Sequence, residues 1–396
     1  MLWGLVSWRG SNPQGLVALV GGAGAARTVA SGGGKLSSGP RGCQWNVPDL
    51  WPRRRGGMQN PPVLVPPSPA AAPPPRPRWQ LRYAAAGVVV LAMLLVRCVS
   101  APKATPNSIE ACGRPFDIGT RVVGWREPPG YDAYQRQKRF TAEEKPDGQL
   151  RYATVRGGLD QILAERAARG GLALTDLQQV VHTFVLHYDV AGTSRQCFKI
   201  LQDVRNLSVH FLLDVDGTLY QTLDLREKAF HATYANDFSI GVEIAHPGAF
   251  PQPLSADMRR WYDKDERGWF QRFPAWMAET GIRTAGFVPR PDRPEFVTGE
   301  VQGKTYHQFD FTPEQYRALA HLCAGLNKLL PRIRLEVPRE ADGSVVTKAL
   351  LEDQLRSFDG IVGHLHVQKN KQDPGPAMQW DRLLQEARQL RARLGN

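Results

Sequence analysis

The chain has 396 residues, with 50 Lys and Arg, 38 Asp and Glu, and a formal net charge of +12. The positive charge is concentrated at the front, because residues 1–98 contain 11 Lys and Arg and one Asp, whereas residues 99–396 contain 39 Lys and Arg against 37 Asp and Glu. A folded basic surface for nucleic acid is therefore not supported, and we expect no nucleic-acid partner. The length allows more than one domain, but the composition of the N-terminal part is too biased for a folded core, which leaves one folded domain.

Residues 1–78 have a composition that predicts disorder. Residues 1–57 are rich in Gly, Ser and Arg without a sustained period, and residues 59–78 contain nine prolines. Neither stretch can bury enough apolar surface to offset its ordering entropy. A second methionine, Met58, opens a more ordinary leader, so an over-extended start before Met58 is the alternative interpretation.

Residues 79–98 have the pattern of a signal peptide or short membrane anchor. An apolar run, 83–96, follows three arginines and ends at Arg97 and Cys98. The run is shorter than the ~20 residues that a membrane-spanning helix needs, which favours export. The residues up to Cys98 resemble a lipoprotein processing box, although Arg97 departs from it. We therefore predict an exported, envelope protein held at the membrane by this segment or by a lipid on Cys98, with cleavage near Ala101 as the alternative.

Beyond Cys98 the chain has only Cys112, Cys197 and Cys323. Three cysteines without a repeated spacing form neither a disulfide framework nor a Cys-rich zinc site. Cys197 and Cys323 lie in apolar helical patterns, which predicts buried thiols. At most one disulfide can form among the three.

The remaining sequence predicts one α/β domain with a mixed sheet. Residues 99–175 are expected to be a linker with peripheral helices, and the domain is expected to span residues 176–396 with a long insertion at about 249–310. Strand and helix signals alternate along the domain. The predicted elements are a strand at 180–187, a helix at 194–204, a hairpin at 209–223 that turns at Asp216-Gly217, a strand at 239–245, a helix at 312–330 opened by a capping box, a strand at 360–364 and a helix at 377–394.

Two histidines and one aspartate have the pattern of a catalytic metal site. His187 and His364 each end a buried strand, where side chains reach a cleft, and Asp373 lies in a Pro/Gly turn whose rigidity would fix a carboxylate. Two imidazoles and a carboxylate form a three-ligand zinc site that keeps a fourth position for water. His366 is the alternative to His364, because it lies only two residues further on.

Five motifs occur in order along residues 177–390. They are Phe184-Val185-Leu186-His187-Tyr188, Ser208-Val209-His210-Phe211 with Asp216-Gly217-Thr218-Leu219-Tyr220-Gln221, Phe230-His231-Ala232, Ser239-Ile240-Gly241-Val242-Glu243, and Gly363-His364 with Lys371-Gln372-Asp373-Pro374-Gly375-Pro376. This order resembles that of the zinc-dependent N-acetylmuramoyl-L-alanine amidases, which include phage lysozyme-type amidases and peptidoglycan recognition proteins. Within the family the chain is most similar to exported, membrane-anchored bacterial members.

The resemblance implies a fold and a set of roles. The fold is a central mixed β-sheet flanked by helices, with zinc in a surface groove. His187, His364 and Asp373 take the positions of the ligands to one Zn²⁺, Glu243 that of the catalytic acid and base, and Lys371 that of the lysine facing the reacting carbonyl. Some members place a catalytic tyrosine where this chain has a valine before the hairpin histidine, but those members usually lack the strand glutamate. Acid and base chemistry is therefore assigned to Glu243.

The implied reaction is hydrolysis of the amide bond between N-acetylmuramic acid and L-alanine in peptidoglycan or its fragments, during cell-wall turnover or remodelling. We expect His231, Asn236 and Tyr188 to contact the substrate, and we expect a monomer. A non-catalytic peptidoglycan-binding module is the alternative function. A metallopeptidase acting on ordinary peptides is a second alternative, although the chain lacks a His-Glu-x-x-His helix.

Overall fold

A computed structural model describes residues 104–140 and 150–395, which belong to the unit Leu81–Asn396. The predicted disordered region, the leader at 79–98 and Cys98 lie outside the described residues. Within the described ranges, no helix is both long and apolar enough to cross a membrane. Cys112, Cys197 and Cys323 are free thiols, and the last two are buried as predicted.

The described residues form strands of two to six residues. They are β1 (Ser108–Ala111), β2 (Arg114–Asp117), β3 (Val122–Gly124), β4 (Tyr152–Ala153), β5 (Thr183–Tyr188), β6 (Phe211–Leu213), β7 (Leu219–Gln221), β8 (Lys228–Ala229), β9 (Ser239–Ile244), β10 (Tyr262–Asp265), β11 (Gly268–Gln271), β12 (Val297–Val301), β13 (Lys304–Gln308) and β14 (Gly360–Gly363).

The α-helices that accompany them are α1 (Gln161–Gly170), α2 (Leu174–Val180), α3 (Ser194–Lys199), α4 (Ala256–Trp261), α5 (Pro313–Leu329), α6 (Glu352–Ser357), α7 (His364–Val367) and α8 (Trp380–Arg393). A π-helix, Ile200–Arg205, continues α3, and a 3₁₀ helix, Thr233–Asp237, precedes β9. The single helix predicted at 194–204 is therefore two helical segments. The predicted helix at 377–394 begins three residues later, at Trp380.

The central sheet has six strands in the order β14-β5-β9-β6-β7-β3. The pairs β14–β5, β5–β9, β9–β6 and β7–β3 are parallel, and β6 and β7 form the predicted antiparallel hairpin. All six residues of β5 are buried, as expected of an inner parallel strand that is covered on both faces. The predicted mixed α/β sheet is confirmed.

Helices cover both faces of this sheet. Phe184, Ile240 and Val242 share one apolar cluster with residues of α5 and α8. Leu212 of the opposite face packs in a second cluster with Phe198 of α3. The alternation of side chains along each strand explains this division, because successive residues point to opposite faces. It also places the odd-numbered residues of β5 and β9 on one common face.

Helix α5 begins as the sequence predicts. Thr312 Oγ1 accepts a hydrogen bond from Gln315 N at 3.1 Å, and Gln315 Oε1 accepts one from Thr312 N at 2.9 Å. Pro313 occupies the first turn, where its missing N–H removes no helical bond. The capping box therefore fixes the start of the helix that covers the main core.

The segment expected to be a linker, 99–175, differs from that expectation. Its strand β3 forms one edge of the central sheet, and β1 and β2 form a hairpin beside it. Of the peripheral helices expected there, α1 lies inside the segment and α2 begins at its end, at Leu174. Strands this short carry no readable alternation, so the sequence pattern gave no sign of them.

The insertion at 249–310 is also more regular than its sequence suggests. It contains helix α4 and two antiparallel hairpins, β10–β11 and β12–β13. Most residues of both hairpins are exposed or half-buried, so their apolar and polar residues do not alternate cleanly. The hairpin β12–β13 ends at Gln308, which is buried against the loop after Asp373.

Arg156 connects the segment that precedes β5 to the loops between β7 and β9. Its side chain is 1% exposed, and burial lowers the pKa of its guanidinium to about 10, which leaves it charged at neutral pH. The two terminal nitrogens donate hydrogen bonds of 2.6–3.2 Å to the backbone oxygens of Leu225, Glu227, Asn236 and Ser239.

We expect Arg156→Met to lower the free energy of unfolding by about 3 kcal/mol or more, because it leaves buried carbonyl oxygens without donors. Urea titration followed by circular dichroism measures this change. The matched control is Arg169→Ala, whose exposed side chain pairs with Glu165 one helical turn away, and which should change stability by less than about 0.5 kcal/mol. Equal urea midpoints for Arg156→Met and the wild type would contradict this role.

Candidate metal centre and active site

The candidate site lies at the carboxyl edge of the parallel strands. His187 is the fifth residue of β5, and its register partner on the neighbouring strand β9 is Glu243. His364 follows β14 directly, on the other side of β5. Ligands of open α/β sheets bind beyond the carboxyl ends of the strands, where such side chains converge. The sheet register therefore brings two predicted ligands and the predicted base to one place.

Three atoms meet at this edge. His187 Nδ1 lies 2.9 Å from His364 Nδ1 and 3.1 Å from Asp373 Oδ2, and His364 Nδ1 lies 3.0 Å from Asp373 Oδ2. The three side chains are buried, at 2%, 4% and 10% exposure. Within residues 104–140 and 150–395, this is the one group of three or more His, Cys, Asp or Glu side chains that is close enough to hold a metal ion.

This triangle fits a zinc ion. Zinc bonds of about 2.0–2.2 Å in a tetrahedral arrangement separate ligand atoms by roughly 3.3–3.6 Å. The observed spacing of 2.9–3.1 Å is a few tenths of an ångström shorter. Two histidines and one carboxylate are also a donor set found in catalytic zinc sites. The residues present therefore suit the metal that the sequence predicts.

Hydrogen bonds on the far side of each ring fix its tautomer. His364 Nε2 lies 2.9 Å from Gln368 Oε1, an acceptor, so Nε2 carries the proton and Nδ1 keeps its lone pair. His187 Nε2 lies 3.0 Å from His231 Nδ1, and His231 Nε2 lies 3.4 Å from Ser239 Oγ. Donation outward from His187 through His231 leaves His187 Nδ1 unprotonated as well. Outer partners of this kind orient metal-binding histidines.

The charge state of the cluster also suits a cation. Burial, together with repulsion from His364, lowers the pKa of His187 to about 4, so the ring is neutral at pH 7. Burial alone would raise the pKa of Asp373, but the two neighbouring histidines hold it well below its usual range. Neutral imidazoles and an ionised carboxylate are the forms that bind metal.

Glu243 stands next to this cluster with one oxygen unused. Its Oε2 is buried and has no hydrogen-bond partner among the residues that the structure describes. Burial raises the pKa of Glu243 well above its usual value, and the carboxylates of Asp373 and Asp189 raise it further. Burial lowers the pKa of Lys371 to about 8, although Asp373 and Glu243 oppose that shift. Glu243 and Lys371 are thus electrostatic neighbours of the same Asp373.

His231 packs over the base of β9. A Cβ on Gly241 would lie 2.5 Å from His231 Nδ1, so only glycine allows the ring to reach His187. Asn236 holds the loop that carries this ring, because its Oδ1 accepts hydrogen bonds from His231 N at 3.0 Å and Ala232 N at 2.6 Å. Both residues have internal partners, and their contact with substrate stays a prediction.

Tyr188 lies on the other face of β5 from His187; burial raises the pKa of its hydroxyl, and the nearby carboxylate of Asp373 raises it further. The tyrosine is 4% exposed and packs in the apolar cluster of Phe184 and Leu186. Contact between Tyr188 and the substrate stays a prediction.

The other histidines near the site have structural partners. His366 Nδ1 accepts from Gly363 N at 2.9 Å and its Nε2 lies near Val346 O, so His364, and not His366, faces the cluster. His210 bonds Gly241 N and Glu227 O inside the core.

Gln368 is the member of the site that the sequence did not reveal. It lies four residues after His364, a spacing that places two side chains on one helical face. Helix α7 has only four residues, so no periodic pattern marks it as a helix. The Gln368 side chain could be recognised only once the fold was known.

Comparisons with known proteins identify the family of the chain. The family model for N-acetylmuramoyl-L-alanine amidase matches residues 177–376. No curated protein sequence matches the chain.

Several solved structures are similar to parts of the chain. The crystal structure of a selenomethionine AmpD derivative is 16% identical, with a TM-score of 0.26 over 53% of this chain and 86% of that one. The endolysin amidase LysCS from Clostridium intestinale is 14% identical, with a TM-score of 0.28 over 55% and 86%. AmiD from E. coli, in complex with anhydro-N-acetylmuramic acid-L-Ala-D-gamma-Glu-L-Lys, is 17% identical, with a TM-score of 0.27 over 52% and 57%.

The family match covers half of the chain and includes each of the three candidate ligands and Glu243. The chain therefore belongs to the N-acetylmuramoyl-L-alanine amidase family, the peptidoglycan hydrolases that cut the amide bond between N-acetylmuramic acid and L-alanine.

Proposed function

We propose that this amidase reaction depends on one zinc ion held by His187, His364 and Asp373, with Glu243 as the acid and base. The observation that carries the proposal is the meeting of two histidine Nδ1 atoms and one carboxylate oxygen within 3.1 Å, beside a glutamate with an unpartnered oxygen. A structural zinc site would have four protein ligands, whereas three ligands suit a site that also admits water. A non-catalytic binding module would have no use for a buried base at this position.

An unstrained amide resists water, so hydrolysis needs a stronger nucleophile and stabilisation of the negative carbonyl oxygen. When bound, zinc supplies a Lewis acid that lowers the pKa of a water to roughly 7 and polarises a carbonyl. Glu243 accepts a proton from the attacking water as the new bond to the carbonyl carbon forms. It then donates that proton to the alanine nitrogen as the carbon–nitrogen bond breaks. A raised pKa makes the carboxylate of Glu243 a stronger proton acceptor than an ordinary glutamate.

Lys371 supports the same step by charge. Burial lowers the pKa of Lys371 to about 8, and the nearby charges of Asp373 and Glu243 counteract that shift, so the side chain remains a cation at pH 7. A cation fixed at this place stabilises the negative charge that develops on the carbonyl oxygen, an effect worth a few kcal/mol in water-excluded sites.

We also propose that the protein works in the cell envelope, held there by the leader at 79–98 or by a lipid on Cys98. The support comes from the basic flank and short apolar run of the sequence, and from the location of peptidoglycan itself.

Replacement of any one ligand, as in His187→Ala, His364→Ala or Asp373→Ala, should abolish zinc binding and activity together, because a three-ligand site has no spare ligand. Zinc content by mass spectrometry and hydrolysis of purified muropeptides, with and without a chelator, measure both effects. His307→Ala on strand β13 is the control and should retain zinc and activity. Full zinc occupancy in His364→Ala would contradict the assignment.

Glu243→Gln should keep the fold and the zinc but lose about 10²–10⁴-fold in rate, the usual contribution of a positioned acid and base. Muropeptide hydrolysis and zinc content measure this difference. Glu300→Gln, an exposed glutamate on β12, is the matched control and should have the wild-type rate. Near wild-type turnover by Glu243→Gln would remove this residue from the mechanism.

A reporter enzyme fused after residue 110 should be exported, because the leader precedes the whole catalytic region. Deletion of residues 83–96 is the control and should leave the reporter in the cytoplasm. Radiolabelled palmitate should be incorporated by the wild type and lost in Cys98→Ala. Cytoplasmic retention of the intact fusion would refute export, and absence of label in the exported wild type would refute lipidation.

A further inference from the structure

The inserted hairpin β12–β13 lies directly against the loop that carries two of the proposed zinc ligands. A Cβ on Gly299 would lie 2.7 Å from Pro376 Cβ, so the hairpin and the loop are in close contact. Gln308, at the end of β13, donates to Pro374 O at 3.0 Å and accepts from Ala377 N at 3.0 Å. The insertion thus fixes the residues that directly follow Asp373.

Gln302, at the tip of the same hairpin, holds the other part of this loop. Its Nε2 lies 2.7 Å from Leu365 O, 3.2 Å from Gln368 O and 3.1 Å from Lys371 O. Its Oε1 accepts a hydrogen bond from Ala349 N at 3.1 Å. The two N–H groups of the amide therefore share three carbonyl acceptors. The amide oxygen is itself held by a backbone N–H.

The three acceptors belong to residues that adjoin the proposed catalytic groups. Leu365 follows the ligand His364, Gln368 bonds the ring of His364, and Lys371 is the proposed cation. One amide therefore joins the start, middle and end of residues 365–371. This span connects His364 to Asp373, so its shape sets the distance between the two ligands.

The backbone at Gln302 supports the same conclusion independently. Gln302 and Gly303 have φ of 55° and 70°, the left-handed pair of a two-residue hairpin turn. Asn or Gly is preferred at the first of these positions, because a positive φ brings the Cβ of most other residues too close to the following carbonyl oxygen. A glutamine here is disfavoured locally, and its additional length is what allows the amide to reach the loop.

We propose that Gln302 is a positioning residue of the amidase, which sets the geometry of the zinc ligands through the 365–371 loop. The inference rests on the proposed zinc-dependent function. Gln302 acts through backbone carbonyls and needs no contact with substrate.

The test is Gln302→Asn in the full-length protein. Asparagine suits the turn at least as well, so the hairpin is preserved, but its amide is about 1.5 Å shorter and cannot span the three carbonyls. We expect zinc affinity, measured by competition with a chelator, to fall about 10–100-fold, as for other outer partners of metal ligands. We expect kcat for muropeptides at saturating zinc to fall, while KM changes by less than about twofold. The Tm of the zinc-free protein should remain within about 2 °C of the wild-type value, because hairpin packing is unchanged.

Two further variants sharpen the result. Gln302→Glu has the full length but no N–H donors, so it should lose zinc affinity like Gln302→Asn. Lys304→Ala, an exposed residue of the same hairpin, should behave as the wild type. Wild-type zinc affinity and kcat in both Gln302 variants would overturn the proposal, as would a fall in the Tm of the zinc-free protein with unchanged zinc affinity. A wild-type protein without zinc or activity would instead refute the proposed function.

Discussion

The structure depends on one arrangement, in which two imidazole nitrogens and a carboxylate oxygen face one another inside the protein at about 3 Å. The three residues that carry these atoms are shielded from water. Such a group is costly to bury without a cation between its members. The surrounding elements therefore have to hold it in place, and much of the fold around the site serves that purpose.

Three kinds of support hold the cluster. The parallel register of β5 and β9 places His187 beside Glu243. His231, which packs against Gly241, contacts the outer nitrogen of the His187 ring and fixes its orientation. The buried guanidinium of Arg156 donates hydrogen bonds to the backbone on both sides of His231. The inserted hairpin holds the loop of His364 and Asp373 from the opposite side. The site is thus built by segments far apart in the chain.

Local signals explain what could be predicted from the sequence. The capping box of Thr312 and the turn at Asp216-Gly217 each act within a few residues, and both are present in the structure. The candidate ligands were identifiable because strand ends and a Pro/Gly turn are also local. Strand β3 is three residues long, and Arg156 and Gln302 act across 63 to 83 residues, so no sequence period marks them. Long-range contacts of this kind require the folded chain.

The central claim is that His187, His364 and Asp373 bind zinc through the atoms that converge in the structure. Anomalous diffraction at the zinc absorption edge, from crystals of the zinc-loaded protein, tests it most directly. The account predicts one peak about 2.0–2.2 Å from the Nδ1 atoms of both histidines and from an Asp373 oxygen. A peak bound through Nε2 or through His366, or no peak at these residues in a protein that contains zinc, would contradict it.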